Sequence, residues 1–212
     1  MIKIKTFVFN PLQENTYVLS DETGECAIVD PGCSTEKEFG QLLSYIIENN
    51  LKPVRLINTH GHFDHILGLS KVSGHFQLKP EVHKLELYLT NDFVHYGKVF
   101  GFDLQPIPII NNFLVEGIPV NFGNSQLEVL HVPGHTLGSV AFFSKPDNFV
   151  ITGDVLFQGS IGRTDLPGGD YDVLMDSINN KLLKLGDDIK IFPGHGPYST
   201  ISEEKKSNPF LN

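Results

Sequence analysis

Three short runs of apolar residues cross the first thirty positions of the chain. They read MIKIKTFVF, TYVLS and CAIVD, and turn-forming residues separate each run from the next. Alternation of apolar and polar residues in the first run, and β-branched residues in the other two, are typical of strands. The pattern predicts three consecutive β-strands that end at Asp30, where the sequence DPG stops the third.

A change of period follows at Thr35. Thr35 and Glu38 have the spacing of a capping box, which marks the start of a helix. The apolar positions that follow recur at helical spacing: Phe39, Leu42, Leu43, Ile46 and Ile47. We therefore predict a helix that packs one face on a sheet and ends near Asn49 and Asn50.

The middle of the chain is less regular. The run VRLIN predicts a strand that leads directly into THGHFDH, at Thr59 to His65. ILGLSKV and VHKLELYL have helical spacing, and the aromatic-rich DFVHYGKVFGF is interpreted as a helix or a lid. The histidine cluster should thus lie at the carboxyl end of a strand.

The second half of the chain repeats the order of the first. IPVNF and QLEVLHV predict one hairpin, SVAFFS and FVITGD predict another, and DIKIFPG predicts a final strand. A helix is predicted between the second hairpin and the final strand, from Tyr171 to Leu185. This order fits two β-sheets packed face to face with helices outside, built from two similar halves that meet near residue 110.

Composition narrows the class of protein. The 212 residues carry a formal net charge of -9, and 40% of them are hydrophobic. An acidic chain is a poor candidate for binding nucleic acid. No apolar run reaches the ~18 residues of a membrane span, and the N-terminus lacks the apolar core of a secretory signal. We expect a cytoplasmic protein with no membrane partner, in which Cys26 and Cys33 are reduced thiols.

Metal-ligand residues recur along the chain at the ends of predicted strands. They are His60, His62, Asp64, His65, His135, Asp154 and His195. Imidazole and carboxylate are ligands that zinc, iron and manganese accept. Seven such ligands exceed what one tetrahedral ion uses, whereas two ions that share a carboxylate would use them all. The other histidines are interpreted as structural or surface residues.

The run H-x-H-x-D-H, with a His, an Asp and a His downstream, resembles the metallo-β-lactamase fold superfamily. The resemblance implies a single αβ/βα four-layer sandwich over residues 1–212, with mixed sheets and two divalent metal ions. Zinc is expected, with iron or manganese as alternatives. It also implies that His60, His62 and His135 hold one ion, that Asp64, His65 and His195 hold the other, and that Asp154 bridges them.

Two further stretches resemble one branch of that superfamily. GDVLFQGSIGRTDLPGGD and the ending PGHGPYSTISEEKKSNPFL are similar to short bacterial glyoxalase II-like hydrolases. The resemblance implies a metal-dependent hydrolase that cleaves a small-molecule thioester such as S-lactoylglutathione, with Asp64 and Asp154 as catalytic residues that orient the attacking water. A C-terminal helical domain for glutathione is not expected.

Other activities remain open at this point. The ligand set also resembles that of persulfide dioxygenases, which bind one iron through residues matching His60, His135 and Asp154. A lactonase or other ester hydrolase of the same fold, and a metal-dependent sensor, are further alternatives.

Three more residues are candidates for supporting roles. Asp30 could orient a ligand histidine or simply end its strand. Arg163 could bind a substrate carboxylate or pair with Asp165 or Asp170. Tyr198 is a candidate substrate residue from its position alone. The sequence does not indicate an oligomeric state.

Overall fold

The computed structural model describes residues 1–99, 101–102, 104 and 106–212. Six helices lie in these ranges: α1 Glu36–Glu48, α2 Leu69–Phe76, α3 Leu87–Asn91, α4 Phe93–Val99, α5 Tyr171–Asn180 and α6 Ile201–Ser207. Single 3-10 turns occur at Phe63–His65, Lys84–Glu86 and Leu182–Lys184.

The strands of the first half are β1 Lys3–Phe9, β2 Glu14–Ser20, β3 Glu25–Val29, β4 Lys52–Ile57, β5 Pro80–His83 and β6 Asn112–Leu114. They form one six-stranded sheet in chain order. β1, β2 and β3 pair antiparallel, and β3, β4, β5 and β6 pair parallel. The parallel strands all end at the same edge of the sheet, and α1 and α2 supply crossovers between them.

The strands of the second half are β7 Val120–Phe122, β8 Ser125–His131, β9 Val140–Ser144, β10 Phe149–Gly153, β11 Leu156–Phe157, β12 Ser160–Ile161, β13 Lys190–Pro193 and β14 Ser199–Thr200. Six of them form a sheet in the order β14-β13-β10-β9-β8-β7, while β11 and β12 make a separate hairpin. Only the β10–β13 pair of this sheet is parallel, and α5 lies in the connection between these two strands.

Among the residues that the structure describes, three apolar cores define the layers. The central core joins the inner faces of the two sheets, with Tyr17 and Leu19 packed in the same cluster as Phe142 and Ile151. A second core packs α1 and α2 on the outer face of the first sheet. A third packs α5 on the outer face of the second sheet. This arrangement confirms the predicted αβ/βα sandwich.

Helix α1 begins as predicted. The Thr35 side chain accepts a hydrogen bond from the Glu38 amide at 3.2 Å, and the Glu38 carboxylate accepts one from the Thr35 amide at 3.0 Å. Phe39, Leu42 and Ile46 are buried. The prediction for Ile47 is wrong: its side chain is 64% exposed, because it lies about 100° around the helix from Ile46.

Two other predictions need correction. The run VHKLELYL is not one helix: Val82 and His83 end β5, a 3-10 turn follows, and α3 begins only at Leu87. The apolar spacing of this run fits both states, and Val82 is buried as part of a parallel strand. The helix predicted over Tyr171–Leu185 ends at Asn180, and the 3-10 turn replaces its last part.

The run DFVHYGKVFGF contains α4, which ends at Val99; its Phe100 lies outside the described residues. None of the helices in the described ranges combines the length and apolar character needed to cross a bilayer.

Candidate metal centre

The candidate ligands converge because the strands that carry them end at one edge of the sandwich. β4 leads to His60 and His62, β10 leads to Asp154, and β13 leads to His195. His135 lies in the connection between β8 and β9. Sequence separations of more than 130 residues are thereby reduced to contact distances.

Three imidazoles form the first cluster, defined as His60, His62 and His135. His62 Nδ1 lies 3.1 Å from His60 Nε2 and 2.9 Å from His135 Nε2. One ligand nitrogen from each residue lies within 4.8 Å of the others. This spacing suits three nitrogen ligands on one side of a metal ion.

The second cluster consists of Asp64, His65 and His195. Asp64 Oδ2 lies 3.2 Å from His195 Nε2 and 3.8 Å from His65 Nε2. One ligand atom of each residue again lies within 4.8 Å of the others.

Asp154 lies between the clusters. Its Oδ1 is 3.3 Å from His65 Nε2, and its Oδ2 is 3.7 Å from His135 Nε2 and 3.6 Å from His195 Nε2. A single carboxylate therefore reaches ligand nitrogens of both clusters.

Hydrogen bonds on the far side fix four of the rings. His60 Nδ1 contacts Thr59 Oγ1 at 3.1 Å, and His65 Nδ1 contacts Asp30 Oδ2 at 3.1 Å. His135 Nδ1 donates to the Arg163 carbonyl at 2.8 Å, and His195 Nδ1 donates to the Leu12 carbonyl at 3.0 Å. Such bonds hold the tautomer in which Nε2 is the ligand atom.

The charge states differ between the clusters. Burial, reinforced by the neighbouring imidazoles, lowers the pKa of His60, His135 and His62, the last to about 3. The first cluster is therefore neutral at pH 7, which is the form of histidine that binds a metal.

In the second cluster, nearby carboxylates outweigh burial in setting the pKa of the histidines. Burial alone would lower the pKa of His65 and His195, but Asp64 and Asp154 raise it in both. Burial alone would raise the pKa of Asp154, but the charge of His65 lowers this pKa well below its ordinary value. The carboxylates are ionised and need nearby positive charge.

The orphaned polar atoms of the site fit a metal ion. His65 Nε2 and Asp154 Oδ1 are both buried and find no hydrogen-bond partner within the described part of the chain. Buried polar atoms without partners are costly. Divalent ions would satisfy the lone pairs of the histidines and the charge of the carboxylates together, so the residues present fit the group.

A glycine admits the carboxylate to this position. A Cβ at Gly194 would lie 2.1 Å from Asp154 Oδ1 and 2.7 Å from His65 Cε1. Any side chain at residue 194 would displace both groups. Gly194 thus provides room for the Asp154 carboxylate and the His65 ring.

A cavity of about 260 Å³ opens beside the clusters. Its polar wall contains His62, Asp64, His135, Asp154 and His195. The remaining lining residues are mostly apolar: Leu12, Gly61, Phe63, Leu89, Phe93, Tyr96, Arg163, Leu166 and Pro167. A ligand in this cavity would contact the candidate metal site at one end and hydrocarbon at the other.

The three supporting candidates lie in different places. Asp30 is fully buried, and its carboxylate contacts His65 while it accepts bonds from the Thr59 amide and hydroxyl at 2.7 and 2.6 Å. Asp30 also lies within 4.8 Å of ligand atoms of His60 and His65, but Thr59 already engages both of its oxygens. Asp30 is thus placed to orient His65.

Arg163 lines the cavity, but its guanidinium makes two 2.7 Å bonds to Asp165. The alternative of an ion pair with Asp165 is the one the geometry supports. Tyr198 is 63% exposed and packs its ring on Phe192 at 6.2 Å. It is not among the residues that line the cavity.

Several residues of the site have no signature in the sequence. Glu14, the first residue of β2, is fully buried with Oε1 4.0 Å from His65 Nδ1, although glutamate is a residue type that is usually exposed. Leu89 and Phe93 belong to short helices whose cavity-facing side depends on tertiary packing. The carbonyl that orients His135 belongs to the backbone of Arg163, which no side-chain pattern marks.

Comparisons with known proteins agree with this geometry. The family model described as "Metallo-beta-lactamase superfamily" matches residues 9–195. The chain belongs to this superfamily. It is 38% identical over 218 residues to "Hydroxyacylglutathione hydrolase GloC" from Haemophilus influenzae, an alignment that covers 100% of this chain and 99% of the relative.

Two solved structures are similar over nearly the whole chain. One is "BLEG-1 B3 metallo-beta-lactamase", with a TM-score of 0.91 and 34% identity, covering 99% of this chain and all of that one. The other is "TTHA1623 in a di-iron-bound form", with a TM-score of 0.88 and 36% identity, covering 98% of this chain and all of that one. The His and Asp clusters of this superfamily member are thus capable of binding metal.

Proposed function

We propose that the protein is a metal-dependent hydrolase that cleaves a small-molecule thioester at a site for two divalent ions. The observation that carries the proposal is the pair of clusters that share Asp154 at the wall of a partly apolar cavity. The relative from Haemophilus influenzae is named a hydroxyacylglutathione hydrolase, which supports a thioester such as S-lactoylglutathione.

In this proposal His60, His62 and His135 hold one ion, and Asp64, His65 and His195 hold the other. Asp154 contributes to both. Zinc, iron and manganese all accept these ligands. Two bound ions would lower the pKa of water and polarise the carbonyl of the substrate.

The protein's own groups would orient the reactants. The Asp64 carboxylate faces the cavity and lies 3.2 Å from His195 Nε2. Asp64 and Asp154 are ionised, so each can accept a hydrogen bond from an attacking water and hold it in place. Asp30, Thr59 and the Arg163 carbonyl keep the ligand rings from rotating.

The cavity supports a substrate whose reactive end is uncharged. Leu89 and Phe93 are each 3% exposed and form its apolar wall. The guanidinium of Arg163 is engaged by Asp165. We therefore propose that the group next to the scissile carbonyl is held by packing on hydrocarbon.

The decisive experiment is a turnover screen on protein loaded separately with zinc, iron and manganese. Thiol release from S-lactoylglutathione is the expected activity. Oxygen uptake with glutathione persulfide, opening of a lactone and hydrolysis of a β-lactam are measured beside it. Rapid oxygen uptake without thiol release would overturn the hydrolase proposal, and cleavage of lactone or β-lactam alone would overturn the assignment of a thioester as the substrate.

A matched pair of histidine variants controls this screen. His62→Ala removes a member of the first cluster. It should lower kcat/KM by ~100-fold or more, which exceeds the effect expected for residues that only orient a metal ligand. His75→Ala changes an exposed histidine that packs on Phe39 and should leave turnover within about twofold of wild type, as surface changes generally do. Normal turnover of His62→Ala would contradict the assignment.

A further inference from the structure

Glu86 is a buried acid outside the candidate ligand set. It ends the 3-10 turn after β5, and its side chain is fully buried. It belongs neither to a cluster nor to the cavity lining. Burying a carboxylate costs several kcal/mol unless it is well bonded, so its position calls for an explanation.

The Glu86 carboxylate joins two backbone segments that carry the first cluster. Its Oε2 accepts a hydrogen bond from the Gly61 amide at 2.6 Å, and Gly61 separates His60 from His62. Its Oε1 accepts one from the Gly138 amide at 2.6 Å, three residues after His135. One side chain thus binds both the loop that follows β4 and the loop that connects β8 to β9.

The glycines at these two positions make the contact possible. A Cβ at Gly138 would lie 2.8 Å from Glu86 Oε1, and one at Gly61 would lie 3.1 Å from Oε2. The carboxylate therefore lies directly against both backbones. Burial raises the pKa of Glu86, and the bonds from Thr136, Gly61 and Gly138 oppose that rise.

The two loops come from different halves of the chain. β4 belongs to the first sheet and the β8–β9 connection to the second. His62 and His135 meet at 2.9 Å only if these loops keep their relative position. We propose that Glu86 is a positioning residue that fixes His60 and His62 relative to His135, and so sets the metal affinity of the first cluster.

This proposal rests on the assignment of the first cluster as a metal site. The test distinguishes a failure of the role proposed for Glu86 from a failure of that metal assignment. In a His195→Ala background, metal bound by the protein should lie in the first cluster. In a His62→Ala background it should lie in the second. Co²⁺ is the probe, followed by its visible absorption and by competition with a chelator.

Glu86→Gln keeps the shape but offers one oxygen to two amides, so one N–H must face the side-chain NH2 group. We expect Co²⁺ affinity to fall ~10–100-fold in the His195→Ala background, the range typical of residues that orient ligands. Affinity should stay unchanged in the His62→Ala background. Equal losses in both backgrounds, or none in either, would overturn the proposal.

Glu204→Gln is the matched control. Glu204 is 1% exposed and accepts 2.8 Å bonds from the Gly159 amide and the Asn208 side chain. These partners neither line the cavity nor belong to a cluster. Glu204→Gln should leave Co²⁺ affinity unchanged in both backgrounds, even if it lowers stability.

A second variant keeps the test decisive if Glu86→Gln fails to fold. Gly138→Ala places a methyl group against Glu86 Oε1 and should weaken Co²⁺ binding to the first cluster alone. Unchanged affinity in this variant would count against Glu86. Absence of any Co²⁺ binding in the His195→Ala protein would instead refute the metal assignment of the first cluster.

Discussion

At the scale of the residue, Asp154 combines the two clusters electrostatically. It is the carboxylate whose oxygens lie within 3.7 Å of ligand nitrogens in both of them. Its negative charge also contributes to the raised pKa of His65. The negative charge of Asp154 thus interacts with three histidines at once: His65, His135 and His195.

Asp154→Asn tests this balance, since it removes the charge and keeps the shape. We expect metal affinity to fall by more than the ~10–100-fold typical of residues that only orient ligands. In metal-free protein the pKa of His65 should fall, because a negative partner that favours the imidazolium is gone. Metal analysis and an NMR titration of the ring measure these effects.

Asp165→Asn supplies the control for that measurement. Asp165 is exposed and pairs with Arg163 at the rim of the cavity. Its removal should change neither metal content nor the His65 titration. An Asp154→Asn protein with full metal content would show that Asp154 is not a shared ligand.

Residue type and position after strands were enough to propose all seven candidate ligands, because strand ends at one sheet edge converge. The groups that support them could not be proposed in this way. Glu86 acts through the amides of Gly61 and Gly138, and the oxygen bound by His135 belongs to a backbone carbonyl. Such contacts depend on the three-dimensional path of the chain, and Glu14 and Glu86 resemble ordinary surface acids in sequence.

At the scale of the element, the start of helix α1 is encoded by a local sequence pattern, the capping box of Thr35 and Glu38. The Glu38 carboxylate caps the helix and also accepts a 2.8 Å bond from the Asn10 amide, at the end of β1. The cap therefore ties the helix to the sheet that it covers.

Removal of the cap should lower stability measurably. Thr35→Ala loses the oxygen that accepts from the Glu38 amide, and we expect the free energy of unfolding to fall by about 1 kcal/mol. Thr35→Ser keeps this oxygen and should stay close to wild type. Urea unfolding of the three proteins decides the matter, and equal stability of the alanine and serine variants would contradict the role of the cap.

Elements with weak or ambiguous local signals were harder to predict. The last two residues of β5, Val82 and His83, belong to the run VHKLELYL, which predicts a helix because apolar spacing over so short a run fits both states. β6, β11, β12 and β14 have two or three residues each, which is too short for a period to appear. Their pairing partners, and not their own sequences, make them strands.

At the scale of the whole molecule, the order of strands and helices was enough to predict the layers. Which strand ends meet, and how closely, is decided by contacts between the two sheets. Asp21 makes one of these contacts. It follows β2, and its carboxylate accepts bonds from the Asn124 amide at 2.7 Å, in the turn between β7 and β8, and from the hydroxyl of Ser125 at 2.9 Å, at the start of β8.

The Asp21 contact should make stability depend on pH. Burial alone would raise the pKa of this carboxyl, but hydrogen bonds from Thr23, Ser125 and Asn124 lower it to about 2. In the unfolded chain an Asp titrates near ~3.9. A folded pKa below the unfolded one stabilises the protein above pH ~4, and this stabilisation is lost as the pH falls towards 2.

Asp21→Asn should remove this pH dependence. At pH 7 we expect the variant to be less stable than wild type by about 1 to 2 kcal/mol. The difference should shrink as the pH is lowered from about 4 towards 2, because wild-type Asp21 then becomes neutral as well. Urea unfolding of both metal-free proteins across this range gives the comparison. A gap that stays constant with pH would show that Asp21 joins the two sheets through shape and not through its charge.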